Sequence, residues 1–599
     1  MFSMSVLRRV TAGVLPAVVA AACAGSAGVT PTSGAASTTA PAASSTTTTT
    51  APPPVLCPRN QLRPAATYSE VQHLPADDPA AAAVQFARDR FECAAEVVVV
   101  SPDDLERVAL AALLAAARRA PLLFADAAPS PALDAELANL IPRRLWLVGG
   151  GFAVPEVPEG TEVERLGGDP AALAAAVNAL AGGSPALALP GGDDAALVAV
   201  AVQAMIGGAA LEPSPTTTAA PIATTTSGAG SVTTSTTAAG PEIPDEANPV
   251  PVAVAGTGDA GVAWLVDAGS PAAALAAAAA AAHSGALMAL VDGDDLRRLP
   301  EVGRALRAAR NESLQVRLVG EITADASWQL PLLTDGDELP GGGYLLFPGR
   351  RLVALYGHAW APELGVMGEQ SPGEAVDLAA SVAGAYAEEG VVVVPSFEII
   401  ATVADSRAGS DGNYSNETPV EDIRPWIEAA GAAGMYVLLD LQPGRSDFLS
   451  QALLYEEFLR LPFVGLALDP EWRLGPDQFH LVQFGSVSAE EVNEVAEWLA
   501  GLVREESLPQ KLLLLHQFRL SMIPDRTAIV VPPELALVIQ MDGQGSLDDK
   551  YATWAAVTAG TEGTGWWWGW KNFYDEDSPR ATPGQVLDLR PRVVYVSYQ

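Results

Sequence analysis

Basic residues are scarce in this chain. Lys and Arg number 34 against 71 Asp and Glu over 599 residues, a formal net charge of −37. A nucleic-acid binder neutralises phosphates with Lys and Arg, so the balance argues against that class. The same balance argues against electrostatic docking on anionic lipid. Cysteine is rarer still, with Cys23, Cys57 and Cys93 alone, and only five histidines are present. No P-loop occurs, and Gly149–Gly151 lacks the spacing of a dinucleotide fingerprint. No Ser-based nucleophile elbow is found. Past the N-terminus no apolar run is long and hydrophobic enough to span a bilayer, since Ala272–Ala282 is alanine-rich and short. No cofactor is therefore expected.

What is present begins with a targeting segment, residues 1–22. Arg8 and Arg9 precede an apolar stretch from Val10 to Ala22, and Ala20-Ala21-Ala22 leads into Cys23. This arrangement resembles a bacterial lipoprotein signal, which implies lipidation of Cys23. Ala20 stands where Leu is usual, which leaves plain secretion as the alternative. Residues 23–56 form a Ser/Thr/Pro/Ala linker that cannot bury a core. Signal and linker place the globular part outside the cytoplasmic membrane. In an oxidising compartment Cys57 and Cys93 are expected to pair, and two cysteines alone do not supply a zinc site.

Residues 84 to about 170 alternate short β-branched runs with helical spacing, the pattern of a parallel sheet covered on both faces. Val97-Val-Val-Val-Ser101, Ala120-Pro-Leu-Leu-Phe-Ala-Asp126, Leu145-Trp-Leu-Val-Gly-Gly150 and Glu164-Arg-Leu-Gly-Gly-Asp169 follow one another in that order. Together they resemble a type 2 cell-wall-binding repeat. A second copy starts near Pro185, and a third runs from Val262 through Leu287–Asp292 to Val316–Gly320. The resemblance implies a region, residues 57–345, that attaches non-covalently to anionic cell-wall polymers. A structural platform is the alternative, and net acidity favours it. Residues 213–247 are a low-complexity insertion within this region.

From residue 346 to residue 599 the rhythm becomes strand, rim loop, helix. Apolar runs at 352–356, 391–395, 435–439, 463–468, 511–515, 535–539, 566–570 and 593–596 predict eight strands. Helices are predicted at 372–389, 420–433, 446–461, 489–506, 547–559 and 583–589. Eight parallel units in succession predict an α/β fold of the (β/α)8 TIM-barrel class, whose working face lies at the strand C-termini. Polar residues follow seven of the eight runs. On a strand, residues i and i+2 share a face. Ser396 with Glu398, Asp440 with Gln442, Asp469 with Glu471, and Gln540 with Asp542 are therefore expected to point together.

Converging carboxylates raise one another's pKa, and a raised carboxyl beside an ionised one is what glycoside hydrolysis uses. Glu471 is the expected general acid. Glu398, Asp440 or Asp542 is the expected base or nucleophile, with Asp469 deeper. His358, Trp360, Gln442, Trp472, His516, Gln517, Gln540, Trp568, Trp570, Lys571 and Tyr598 complete the expected sugar-binding rim. The segment Val464-Gly-Leu-Ala-Leu-Asp-Pro-Glu471 is similar to the chitinase-type pattern DGxDxDxE, with Val464 and Ala467 replacing its first two Asp. That similarity implies the acid role of Glu471. Residues 350–599 as a whole resemble an uncharacterised actinobacterial secreted-lipoprotein family, through Leu439–Arg445, Ala467–Trp472 and Leu515–Phe518.

The leading expectation is an exported envelope protein acting on a cell-wall polysaccharide or peptidoglycan by carboxylate chemistry. It would meet the membrane through a lipid anchor only. One alternative is a non-catalytic wall-binding lipoprotein. Another is a metal-dependent hydrolase, although the barrel has only His358, His480 and His516, no His-x-His pair, and no assigned metal ligands.

Overall fold

The computed structural model describes residues 54–63, 71–74, 78–181, 186–188, 194–207, 210–212, 254–255, 261–291, 293–309 and 314–599. The targeting segment, Cys23, the linker up to residue 53 and the insertion at 213–247 lie outside the described residues. Residues 54–599 cluster as a unit of their own. No helix among the described residues is long and apolar enough to cross a membrane.

The N-terminal part is layered α/β. One parallel sheet has the order Leu122–Phe124, Glu96–Val100, Arg144–Val148, Glu162–Leu166. Helix Leu105–Arg118 starts at Asp104, whose side chain accepts from the Arg107 N–H. It ends at Arg119 in the left-handed conformation, after which the chain turns back into the sheet.

A second sheet has the order Val254–Ala255, Leu287–Val291, Val262–Asp267, Gln315–Val319, Val71–Leu74. Its last strand comes from before the first region, and sequence reading missed it. Asp89 closes this arrangement from helix Pro79–Arg90. It receives Trp264 Nε1 at 3.1 Å and two guanidinium donors of Arg317 at 2.9 and 3.1 Å. Helices Leu105–Arg118, Asp194–Gly207 and Pro271–Ser284 pack on one another. Small side chains such as the buried Ala273–Ala281 let the helices approach closely. Cys57 and Cys93 form the expected disulfide.

Residues 350–599 form a closed barrel of eight parallel strands. These are Arg350–Gly357, Val392–Ala404, Tyr436–Leu441, Val464–Leu468, Lys511–His516, Leu535–Met541, Trp567–Asn572 and Val593–Tyr598. Each pairs with the next, and the first also pairs with the last. Inward-facing Leu352, Ala354, Val394, Tyr436, Leu438, Ala467, Leu512, Leu514, Ala536 and Val538 fill the lower barrel. Leu339, Leu346 and Phe347, from the segment entering the barrel, join that core and close its N-terminal end.

Two elements differ most from the sequence reading, and helix Pro372–Gly384 also stops five residues short of its predicted end. The second strand runs 13 residues, far past the predicted end at Pro395. Proline lacks only a donor, and the ladder continues on both sides of it. Ser396 and Glu398 are therefore mid-strand, not beyond its end. The predicted helix 446–461 is broken into Phe448–Ala452, a 3-10 turn Leu453–Tyr455 and Glu456–Leu459. The break falls at Tyr455, whose hydroxyl donates to the carbonyls of Ala401 and Thr418. Helix Ala489–Glu506 has the predicted bounds. The link 518–533 holds only two 3-10 turns.

Candidate active site

Above the apolar layer, seven of the eight strands present a polar inward-facing side chain, and the turn after the fourth supplies another. Tyr356, Glu398, Asp440, His516, Gln540, Lys571 and Ser597 come from strands, and Asp469 follows the fourth. His516, fully buried, is the hub. Its Nδ1 lies 2.9 Å from Asp542 Oδ2, and its Nε2 lies 2.9 Å from Glu398 Oε1 and 3.6 Å from Asp440 Oδ1. The approach to Glu398 is short but off the line of the ring N–H, so neither atom completes a directional hydrogen bond.

Two tyrosines orient the carboxylates. Tyr595 OH donates to Glu398 Oε2 and Tyr356 OH to Asp440 Oδ2, each at 2.9 Å. Neither was foreseen, because both read as apolar strand residues; counting by twos from Glu398 along equivalent strands would have flagged them. Lys571 Nζ sits 3.5 Å from the Tyr356 ring centre and 4.0 Å from Asp542 Oδ2. Gln540 donates to Ser597 Oγ at 2.5 Å. Gln442 accepts from Ala404 N–H and reaches Tyr356 OH at 3.4 Å.

Burial sets the electrostatics. Burial, then repulsion from Glu398, pushes Asp440 up to about 6 against the attraction of His516. Burial raises Asp469 well above the carboxylate range, aided by Asp440 and Glu471. Burial and then the Asp542 charge push Glu471 up to about 7. Burial would lower His516, but Asp440 and Glu398 outweigh it and hold the imidazolium well above its usual value. Burial would raise Asp542, yet its hydrogen bond to His516 and the charges of His516 and Lys571 keep it below the usual range.

Glu471 is half-buried in the 3-10 turn Pro470–Trp472, where Asp469 Oδ1 accepts its N–H at 3.2 Å. It is the outermost of the five acids. Glu398 and Asp440 are fully buried, Asp469 is 3% exposed and Asp542 9%. Beside the mouth, Trp472 stacks on His480 with ring centres 4.8 Å apart, and Trp360 is 63% exposed.

Several expected rim residues are placed elsewhere. Trp568 and Trp570 face the helix layer and pack on Trp554. They lie one residue out of phase with Lys571, so strand alternation turns them outward. Tyr598 likewise faces out and shares a 2.7 Å hydrogen bond with Tyr386 OH. Gln517 follows inward-facing His516 and so points away, accepting from Arg526. His358 bonds Thr418 Oγ1 at 3.0 Å, and its charged neighbours are Glu363 and Asp422, not the acid cluster. A cavity of about 350 Å³ lies against Ala383, Glu388 and Pro395, on the barrel flank and remote from these acids.

No protein-family model matches this chain, and no curated protein matches it. Among solved structures it is similar to Cwp8 from Clostridium difficile, at 15% identity and a TM-score of 0.32 over 45% of this chain and 52% of that one. It is similar also to Cwp6 from Clostridium difficile, at 12% identity and a TM-score of 0.30 over 57% of this chain and 64% of that one. The chain thus spans between about half and two thirds of the length of these proteins.

Proposed function

We propose that the barrel is a hydrolase for a cell-envelope glycan, carried outside the cytoplasmic membrane by the N-terminal signal. The observation that supports it is the convergence of five carboxyls in the C-terminal half of the barrel, with Glu471 the most exposed of them and Asp542 next. Glu471 donates its proton to the leaving-group oxygen as the glycosidic C–O bond breaks. Asp542 takes a proton from the water whose oxygen forms the new bond to the anomeric carbon. Glu398, Asp440 and His516 are too deep to touch a sugar, and act as positioning residues behind Asp542. Trp472 and Trp360 supply stacking faces for sugar rings. Residues 57–345 would hold the protein against wall polymers, a reading supported by the repeat-like segments of the sequence.

A second reading, a barrel that binds glycan without cutting it, is favoured by the complete burial of Glu398, Asp440 and His516. Incubation of the full chain with purified peptidoglycan and wall polysaccharide separates the two. New reducing ends support the hydrolase; saturable binding with no new reducing ends rejects it.

A further inference from the structure

We infer that Asp469, His516 and Asp542 form a site for one divalent transition-metal cation, Zn²⁺ or Mn²⁺. One donor atom from each lies within 4.8 Å of the others. Ligands about 2.1 Å from an ion stand about 3.4 Å apart in a tetrahedral shell, and about 3.0 Å apart when adjacent in an octahedral one. His516 Nδ1 and Asp542 Oδ2, at 2.9 Å, already have the spacing of an adjacent pair. The 4.8 Å limit is wider than these spacings, so Asp469 would close inward to join the shell.

Independent support comes from the unpaired atoms. Asp542 is more than nine-tenths buried, and its Oδ1 has no hydrogen-bond partner. Glu398 lies at the far ring nitrogen of His516, 2.9 Å away. In this structure Nδ1 is hydrogen-bonded to Asp542; a cation would displace that proton and leave the Nε2 proton on the side of Glu398, the carboxylate–histidine–metal arrangement. Lys571 stands off from Asp542 Oδ2 at 4.0 Å, and Lys550, which also acts on its charge, is paired with Asp577. An imidazole in the donor set selects against Mg²⁺ and Ca²⁺, which take oxygen shells. A cation here would carry the water that Asp542 otherwise activates alone, with Glu471 still the proton donor. The inference stands on the donor set and does not rest on glycan cleavage.

The test uses the full chain, stripped with chelator and desalted. Calorimetric titration with Zn²⁺ and with Mn²⁺ should give one ion per chain. Asp469→Asn and Asp542→Asn should each weaken that binding at least tenfold, while Glu490→Gln, an exposed acid, leaves it unchanged. Pulsed EPR of the Mn²⁺-loaded wild-type chain supplies a readout that needs no variant: coupling to an imidazole nitrogen is expected. Absence of stoichiometric binding, absence of that coupling, or equal affinity in both folded Asn variants overturns the site. A protein that binds the ion but releases no sugar keeps this inference and rejects the hydrolase.

Discussion

Replacing His516 with Gln should destabilise the barrel severely, and the structure fixes the scale. The imidazolium is fully buried, with carboxylate oxygens at 2.9, 2.9 and 3.6 Å. Gln is close in volume, so little cavity results, but its amide carries no charge. Removing one partner from a buried ionic network costs about 3–5 kcal/mol, because the remaining charges stay desolvated and uncompensated. For a domain of about 250 residues, 1 kcal/mol moves Tm by roughly 2 °C, so a fall of about 6–10 °C is expected. The assay is a thermal melt with chelator present, followed by tryptophan fluorescence. Glu398→Gln should also destabilise, and the double variant should lose less than the sum of the singles, by about 0.5–3 kcal/mol. A fall under about 2 °C, or strict additivity, would refute the view of His516 as the counter-ion of this core.

Lys511 gives the pH dependence. Burial pushes its ammonium down to about 7, and its Nζ donates to the Leu461 and Val464 carbonyls at 2.7 Å. The unfolded chain keeps that proton to about 10.4. The unfolded state therefore binds more protons between about 7 and 10.4, and this group's contribution to stability rises with pH there. Urea unfolding at pH 6.5 and 9.5 should show Lys511→Met losing that rise relative to wild type; equal pH slopes would contradict it. Removing the Cys57–Cys93 bridge by Cys93→Ala should cost about 4 kcal/mol by loop closure over a separation of 36 residues, read by denaturant unfolding of the N-terminal part. Trp570→Ala should cost about 3–5 kcal/mol and leave glycan affinity unchanged in the folded fraction. Trp360→Ala should do the reverse, lowering glycan affinity with no measurable loss of stability.

The barrel was legible because each strand is a short apolar run closed by polar residues, and the eight runs recur at crossover spacing. The acid cluster was legible for the same reason: alternation along a strand makes Asp440 and Gln442, or Gln540 and Asp542, share a face. Depth was not legible. Pro395 ended the apparent second strand, so Glu398 read as a rim residue when it lies inside the barrel. Trp568 and Trp570 read as ligand-facing through their chemistry, although alternation counted back from Lys571 turns both outward. Tyr356 and Tyr595 were hidden among apolar neighbours. Strand Val71–Leu74 is too short to stand out, and its partner Gln315–Val319 lies over 200 residues away.

The most direct test of the central claim is turnover by Glu471→Gln on whichever envelope glycan the wild-type chain cleaves. The variant keeps the side chain's shape and hydrogen-bonding reach but has no proton to give. The account predicts a loss of at least about 100-fold in kcat with the fold and glycan affinity retained. Unchanged kcat in Glu471→Gln would contradict it.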